Sequence, residues 1–120
     1  MRGFLDPQTN ESFLTLDVGQ GLFDALIDTG FDGSLVVGEG LFDRSQAVSA
    51  GFITAELASG QTYRYETFFV EFTWLGQLIQ TRLLLGTGTE CLLGTALLTP
   101  HRLEIDYGKQ TVDLIRRHEP

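Results

Sequence analysis

The stretch ALIDTGFDGSL, residues 25–35, sets a single carboxylate, Asp28, between an apolar run and a glycine. Asp and Gly are ordinary turn residues, and a tripeptide as short as Asp-Thr-Gly carries little by itself. Its surroundings carry more. Ala25-Leu26-Ile27 precede the acid and Phe31, Leu35, Val36 and Val37 follow it, which places Asp28 at the end of a core strand, partly desolvated. A carboxylate drawn partly out of water needs hydrogen-bond partners. The Thr29 hydroxyl and the backbone N–H groups around Gly30 are candidates, and glycine lets the backbone approach closely.

Outward from this loop, apolar residues recur mostly with period two, in runs punctuated by glycine, which predicts an all-β protein. Residues 13–18 and 22–27 form a first hairpin around Gly19-Gln20-Gly21, and 34–38 a short strand. Residues 39–51 are polar and mixed and read as a loop, with one helical turn near 41–48. Residues 52–57 and 62–72 flank Ala58-Ser59-Gly60-Gln61 as a long hairpin, and 77–85 is a further strand. At 90–103 the alternation breaks: Leu93, Ala96 and Leu97 fit helical spacing and Pro100 stops a helix, so a short helix is expected near 95–99. Two alternating runs around Tyr107-Gly108-Lys109 make a final hairpin over 103–115.

The chain of 120 residues, 42% hydrophobic with nine Phe, suffices for one modest core, and one domain over 1–120 is expected. Sixteen acidic residues against eight basic ones give a formal charge of −8. That balance repels phosphate backbones and anionic lipid, which argues against nucleic acid and membrane surfaces as partners. The longest apolar runs are far short of the roughly 20 residues that cross a bilayer, and residues 1–13 have no apolar stretch of the kind a secretion signal needs. The single Cys91 has no partner within the chain for a disulfide, and its flanks suggest a buried small hydrophobe. A reducing, cytoplasmic setting is expected.

Two separate segments resemble the retropepsin-like aspartic proteases (clan AA), including their bacterial and archaeal single-domain members. TLDVGQGLFDALIDTGFDGSL, residues 15–35, is similar to the segment that runs through the first hairpin of a retroviral protease into its Asp-Thr-Gly loop. CLLGTALLTPHRLEIDY, residues 91–107, is similar to the second signature, two apolar residues and a glycine leading into a short helix and a final strand. The resemblance covers about residues 13–115. Phe31 is similar to a microbial subgroup with Asp-Thr-Gly-Phe where retroviral enzymes have Ala. The fold implied is the acid-protease fold, a closed barrel-like lobe with a flap hairpin and one short helix. The activity implied is that of an aspartic endopeptidase on a polypeptide substrate, with no metal and no cofactor.

Carboxylate-only peptide hydrolysis needs two acids, one ionised and one protonated. No other Asp of the chain repeats the motif. The simplest second acid is Asp28 of another copy across a two-fold axis, so a homodimer is expected. The resemblance assigns Asp28 as the catalytic acid, Thr29 to hydrogen bonds across the dimer axis and Gly30 to backbone support. It places Ser59, Gly60 and Gln61 at a flap tip that closes over substrate, and Leu92, Leu93 and Gly94 beneath the site. Phe31 and Asp32 are candidate substrate contacts. Phe31 either narrows a pocket or packs into the core. Where retroviral enzymes have Arg after the apolar-apolar-Gly motif, this chain has Thr95, so Asp32 lacks that partner. It pairs instead with Arg102 or Arg44, accepts from substrate backbone, or is an exposed turn residue. These departures motivate an alternative function, a dimeric binding or scaffold module without useful turnover.

The remaining constellations are weaker. Gly86-Thr87-Gly88-Thr89-Glu90 lacks the third glycine and the lysine of a phosphate loop and reads as a β-turn. His101 and His118 have no ligand-spaced neighbours, which argues against a zinc site. Ser34 and Ser59 have no histidine near them in sequence.

Overall fold

The structure, a computed structural model, describes residues 1–56 and 59–117. Among these residues, ten strands, a 3-10 turn and one short helix follow one another. β1 (Arg2–Leu5), β2 (Ser12–Asp17), β3 (Leu22–Ile27) and β4 (Leu35–Gly38) precede the turn at Arg44–Gln46. β5 (Val48–Glu56), β6 (Thr62–Trp74), β7 (Gln77–Gly86) and β8 (Cys91–Leu93) precede α1 (Thr95–Leu98). β9 (Arg102–Asp106) and β10 (Thr111–Ile115) close the chain.

The strands form one sheet in the order β5-β6-β7-β4-β8-β3-β2-β1-β10-β9. A single flat sheet is one layer about 10 Å thick. The shortest principal extent here is 28 Å, so the sheet folds over on itself around its apolar face. Among the described residues the strand order runs from β5 at one limit to β9 at the other. Leu14, Leu35, Leu83, Leu93 and Leu114 are fully enclosed in the core, with Phe68 almost so. Strict alternation puts them there: β2 reads buried, half-buried, buried, exposed, buried, exposed along Ser12–Asp17.

The glycine-marked hairpins form at the expected positions within a residue or two. Gly19 and Gly21 take φ of +96° and +102° in the first turn, a region open to glycine at little cost. Three expectations are corrected. Residues 2–5 form β1, paired with β2 and β10, and Leu5 joins the core, so the core begins well before residue 13. Gly3 is required by that pairing, since a side chain there would strike the Phe13 carbonyl oxygen. β5 starts at Val48, inside the stretch read as loop, because a slip between Ser49 and Gly51 breaks the alternation. Residues 91–93 form β8, which runs parallel to β3 and antiparallel to β4. The Gly86–Glu90 segment is a turn between β7 and β8, tied down by Gly40 N donating to Gly88 O at 2.7 Å.

Candidate active site

β8 lies between β3 and β4, and this three-strand crossing delivers the Asp28 loop. The backbone N–H of Asp28 donates to Leu93 O at 2.9 Å, which continues the β3·β8 pairing just past the strand and sets where the acid begins. Gly30 N then donates to Asp28 Oδ1 at 3.0 Å, the self-bonded turn that aspartate favours. Phe31 N donates to Asp28 O at 3.1 Å. One carboxylate oxygen is thereby held, and Asp28 stays half-buried.

The far half of the loop is fastened to α1. Thr95 donates to Phe31 O twice, from its backbone N at 2.8 Å and from Oγ1 at 3.3 Å. Ala96 N donates to Gly33 O at 3.2 Å and Gly94 N to Ser34 O at 2.9 Å. Thr81 Oγ1 donates to Ser34 Oγ at 2.8 Å and fixes the loop to β7. Phe31 folds back against this seam. A Cβ on Gly94 would meet the Phe31 ring at 2.6 Å and collide with the Gly33 carbonyl oxygen, and a Cβ on Gly33 would run into the same ring.

A cleft of about 600 Å³ opens over the loop. Asp28, Gly30, Phe31 and Asp32 line one side of it, and the β5–β6 hairpin faces them with Ala55, Glu56, Tyr63 and Tyr65. Leu84, Leu85 and Leu92 supply apolar wall. The Tyr63 and Tyr65 rings stand 6.5 Å apart, and the Arg64 guanidinium lies 4.1 Å from the Phe52 ring centroid. A groove with an apolar body and a few polar groups suits an extended ligand.

No protein-family model matches the sequence, and no curated protein matches it. Solved structures do. A retropepsin-like aspartic protease from Rickettsia conorii superposes with a TM-score of 0.64 at 15% identity, over 95% of this chain and 88% of that one. The fold is retropepsin-like. The foamy viral protease-reverse transcriptase, solved in complex with an RNA/DNA hybrid, matches with a TM-score of 0.56 at 14% identity, over 78% of this chain. This chain spans 13% of that larger protein.

Within the retropepsin-like fold, Asp28, Phe31 and Asp32 are brought to one cleft, with Gly30 beside them. Thr29 is exposed, and among the described residues its hydroxyl makes no bond to Asp28, so the support expected from it within the chain is supplied by Gly30 N–H. Leu93, expected to contact substrate, is fully buried, and its neighbour Leu92 lines the cleft. The reason is parity: on β8, Cys91 and Leu93 point into the core while Leu92 points out. Asp32 is exposed and pairs with neither expected arginine. Arg44 bonds Glu66 at 2.6 Å and Arg102 bonds Glu104 at 3.1 Å. Ser59, Gly60 and Gln61 sit exposed at the hairpin end and outside the cleft wall, with Gln61 N donating to Ser59 Oγ at 3.4 Å. Leu57 and Ala58, expected at the end of the strand and in the tip, and His118 lie outside the described residues.

Tyr63 and Tyr65 went unread in the sequence as cleft residues. Period-two alternation through residues 62–72 carries the signal for the tyrosines, because residues sharing a strand face share a destination. Among the described residues, no group of three or more His, Cys, Asp or Glu side chains gathers to hold a metal. Among the described residues no helix is long and apolar enough to cross a membrane.

Proposed function

We propose that the chain is an aspartic endopeptidase that works as a homodimer, with Asp28 of each copy facing the other across the two-fold axis. The observation that carries this reading is Asp28 itself: half-buried at a strand end, one oxygen held by Gly30 N–H, and aimed into a cleft roofed by a hairpin. Two carboxylates brought about 3 Å apart repel as like charges, which favours one proton shared between them. The ionised acid takes a proton from a water held between them while the water oxygen attacks the scissile carbonyl carbon. The protonated acid gives its proton to the carbonyl oxygen. Collapse of the resulting gem-diol breaks the C–N bond, and a proton passes to the departing amine.

In this reading the β5–β6 hairpin is the flap. Its inner tyrosines cover an extended peptide and exclude water, and Gly60, with φ of +84°, gives the tip its bend. Phe31 and Asp32 bound the substrate on the opposite side. In the proposed dimer Thr29, exposed on each single chain, bonds across the axis.

The test is digestion of a mixed peptide library, read by mass spectrometry from acid to neutral pH, with wild type beside Asp28→Asn. Cleavage by wild type alone supports the reading. Silence from both, by a folded dimer, overturns it in favour of the binding module.

A further inference from the structure

The turn between β7 and β8, Gly86–Glu90, has no part in the chemistry described above, yet three bonds fasten it to the chain leaving β4. Gly38 N donates to Glu90 O at 2.6 Å, Glu39 N to Gly86 O at 2.9 Å and Gly40 N to Gly88 O at 2.7 Å. Glycine permits that approach, because a Cβ on Gly38 or on Gly40 would collide with the Gly88 carbonyl oxygen. The turn thereby holds its last residue, Glu90, at the wall of the cleft. The first of these bonds also carries the β4·β8 register one residue past Val37 and Cys91, so Glu90 enters β8 in step with the strand. Leu92 faces the cleft and Cys91 the core, and alternation puts the Glu90 side chain on the face of Leu92. Strand pairing sets Leu84, Val36 and Leu92 in one row across β7, β4 and β8, and all three line the cleft. Glu90 therefore stands at the end of an apolar trough.

We infer that the cleft selects a lysine or arginine side chain of its substrate, with the methylene stem on the Leu84–Val36–Leu92 row and the cation at the Glu90 carboxylate; this rests on the peptidase reading of the cleft and names its substrate class. Lys and Arg are long apolar stems with a charged head, which is the shape and the polarity that this trough complements. Glu39, next to Gly38 in the chain, lines the cleft as well. Among the described residues neither glutamate forms an ion pair, so no internal cation competes with the substrate for them. Arg64 is the one base among the described residues of the cleft wall, and its guanidinium lies over the Phe52 ring. Glu90 is exposed in the open cleft. A substrate stem laid on the trough displaces water from beside the carboxylate, and the lower local dielectric strengthens its pairing with the cation.

The test uses a set of peptides in which Lys, or norleucine with its uncharged stem, is placed at each position in turn. Their kcat/KM is measured with wild type, Glu90→Gln and Glu71→Gln, and their binding by calorimetry on Asp28→Asn with and without Glu90→Gln. Glu71 is exposed on β6 and lies outside the cleft wall, so its substitution removes the same charge without touching the trough. At one position wild type is expected to prefer Lys over norleucine about ten-fold, and Glu90→Gln to bring that ratio to about one, while Glu71→Gln keeps it. Equal cleavage of the two peptides by wild type, or a preference that survives Glu90→Gln, overturns the inference and leaves the peptidase standing. An equal loss with Glu71→Gln does the same, because it marks the field of the whole chain and not a pairing at Glu90. A Lys preference in binding that Glu90→Gln abolishes, with no cleavage by folded wild type, overturns the peptidase and leaves the Glu90 pairing standing. Neither cleavage nor a Lys preference overturns both.

Discussion

Phe31 explains two glycines. Its ring lies on Gly33 and Gly94, and its carbonyl takes both donors of Thr95, so one side chain and one oxygen hold the Asp28 loop onto α1. The sequence left Phe31 either in a pocket wall or in the core; half-buried, it lines the cleft and lies over Gly33 and Gly94. Gly94→Ala forces this seam apart and is expected to destabilise the fold by about 1–3 kcal/mol, measured by urea denaturation. Cys91 is the other residue whose setting has a measurable effect. Burial first, and the nearby Asp24 charge second, push its thiol up from 9.0 to about 11. The folded chain then keeps its thiol proton where the unfolded chain has lost it, so the unfolded state binds fewer protons in that range. The stabilising contribution is complete below pH 9 and is lost as the pH rises to about 11. Cys91→Ala is expected to flatten that part of the stability profile, and wild-type Cys91 should resist alkylation at pH 8 until the protein unfolds.

At the scale of elements, what could be read in the sequence was local. Gly19, Gly21 and Gly60 announce their hairpins, because a positive φ at a turn is a demand made on one residue. β1 and β8 announce nothing. Each is four residues or fewer, and each is defined by partners distant in the chain: Arg2 opposite Asp113, and Leu92 opposite both Leu26 and Val36. Asp28 was legible as the candidate acid because its flanks are local. Leu92 and Leu93 were read together beneath the site, and strand parity separates them, Leu93 into the core and Leu92 to the cleft. α1 is too short to stand alone. Its stability comes from Leu97 and Leu98, which are buried, and from Trp74, whose Nε1 donates to Leu97 O at 3.1 Å inside the core. Trp74→Phe leaves that carbonyl unpaired. The expected loss is about 1–3 kcal/mol in a urea titration, with a lower kcat from a less firmly held Asp28 loop.

For the whole molecule, the strand order sets the cleft-facing β5–β6 hairpin at one limit and β9 at the other. Each chain brings a single Asp-Thr-Gly loop, and this has a genetic corollary. With the homodimer proposed above, a cell expressing equal amounts of the normal allele and an Asp28→Asn allele is expected to hold about one quarter of its pairs with both acids. Such an allele is then expected to be dominant-negative, whereas the same lesion in an enzyme that worked as a lone chain would merely halve the dose.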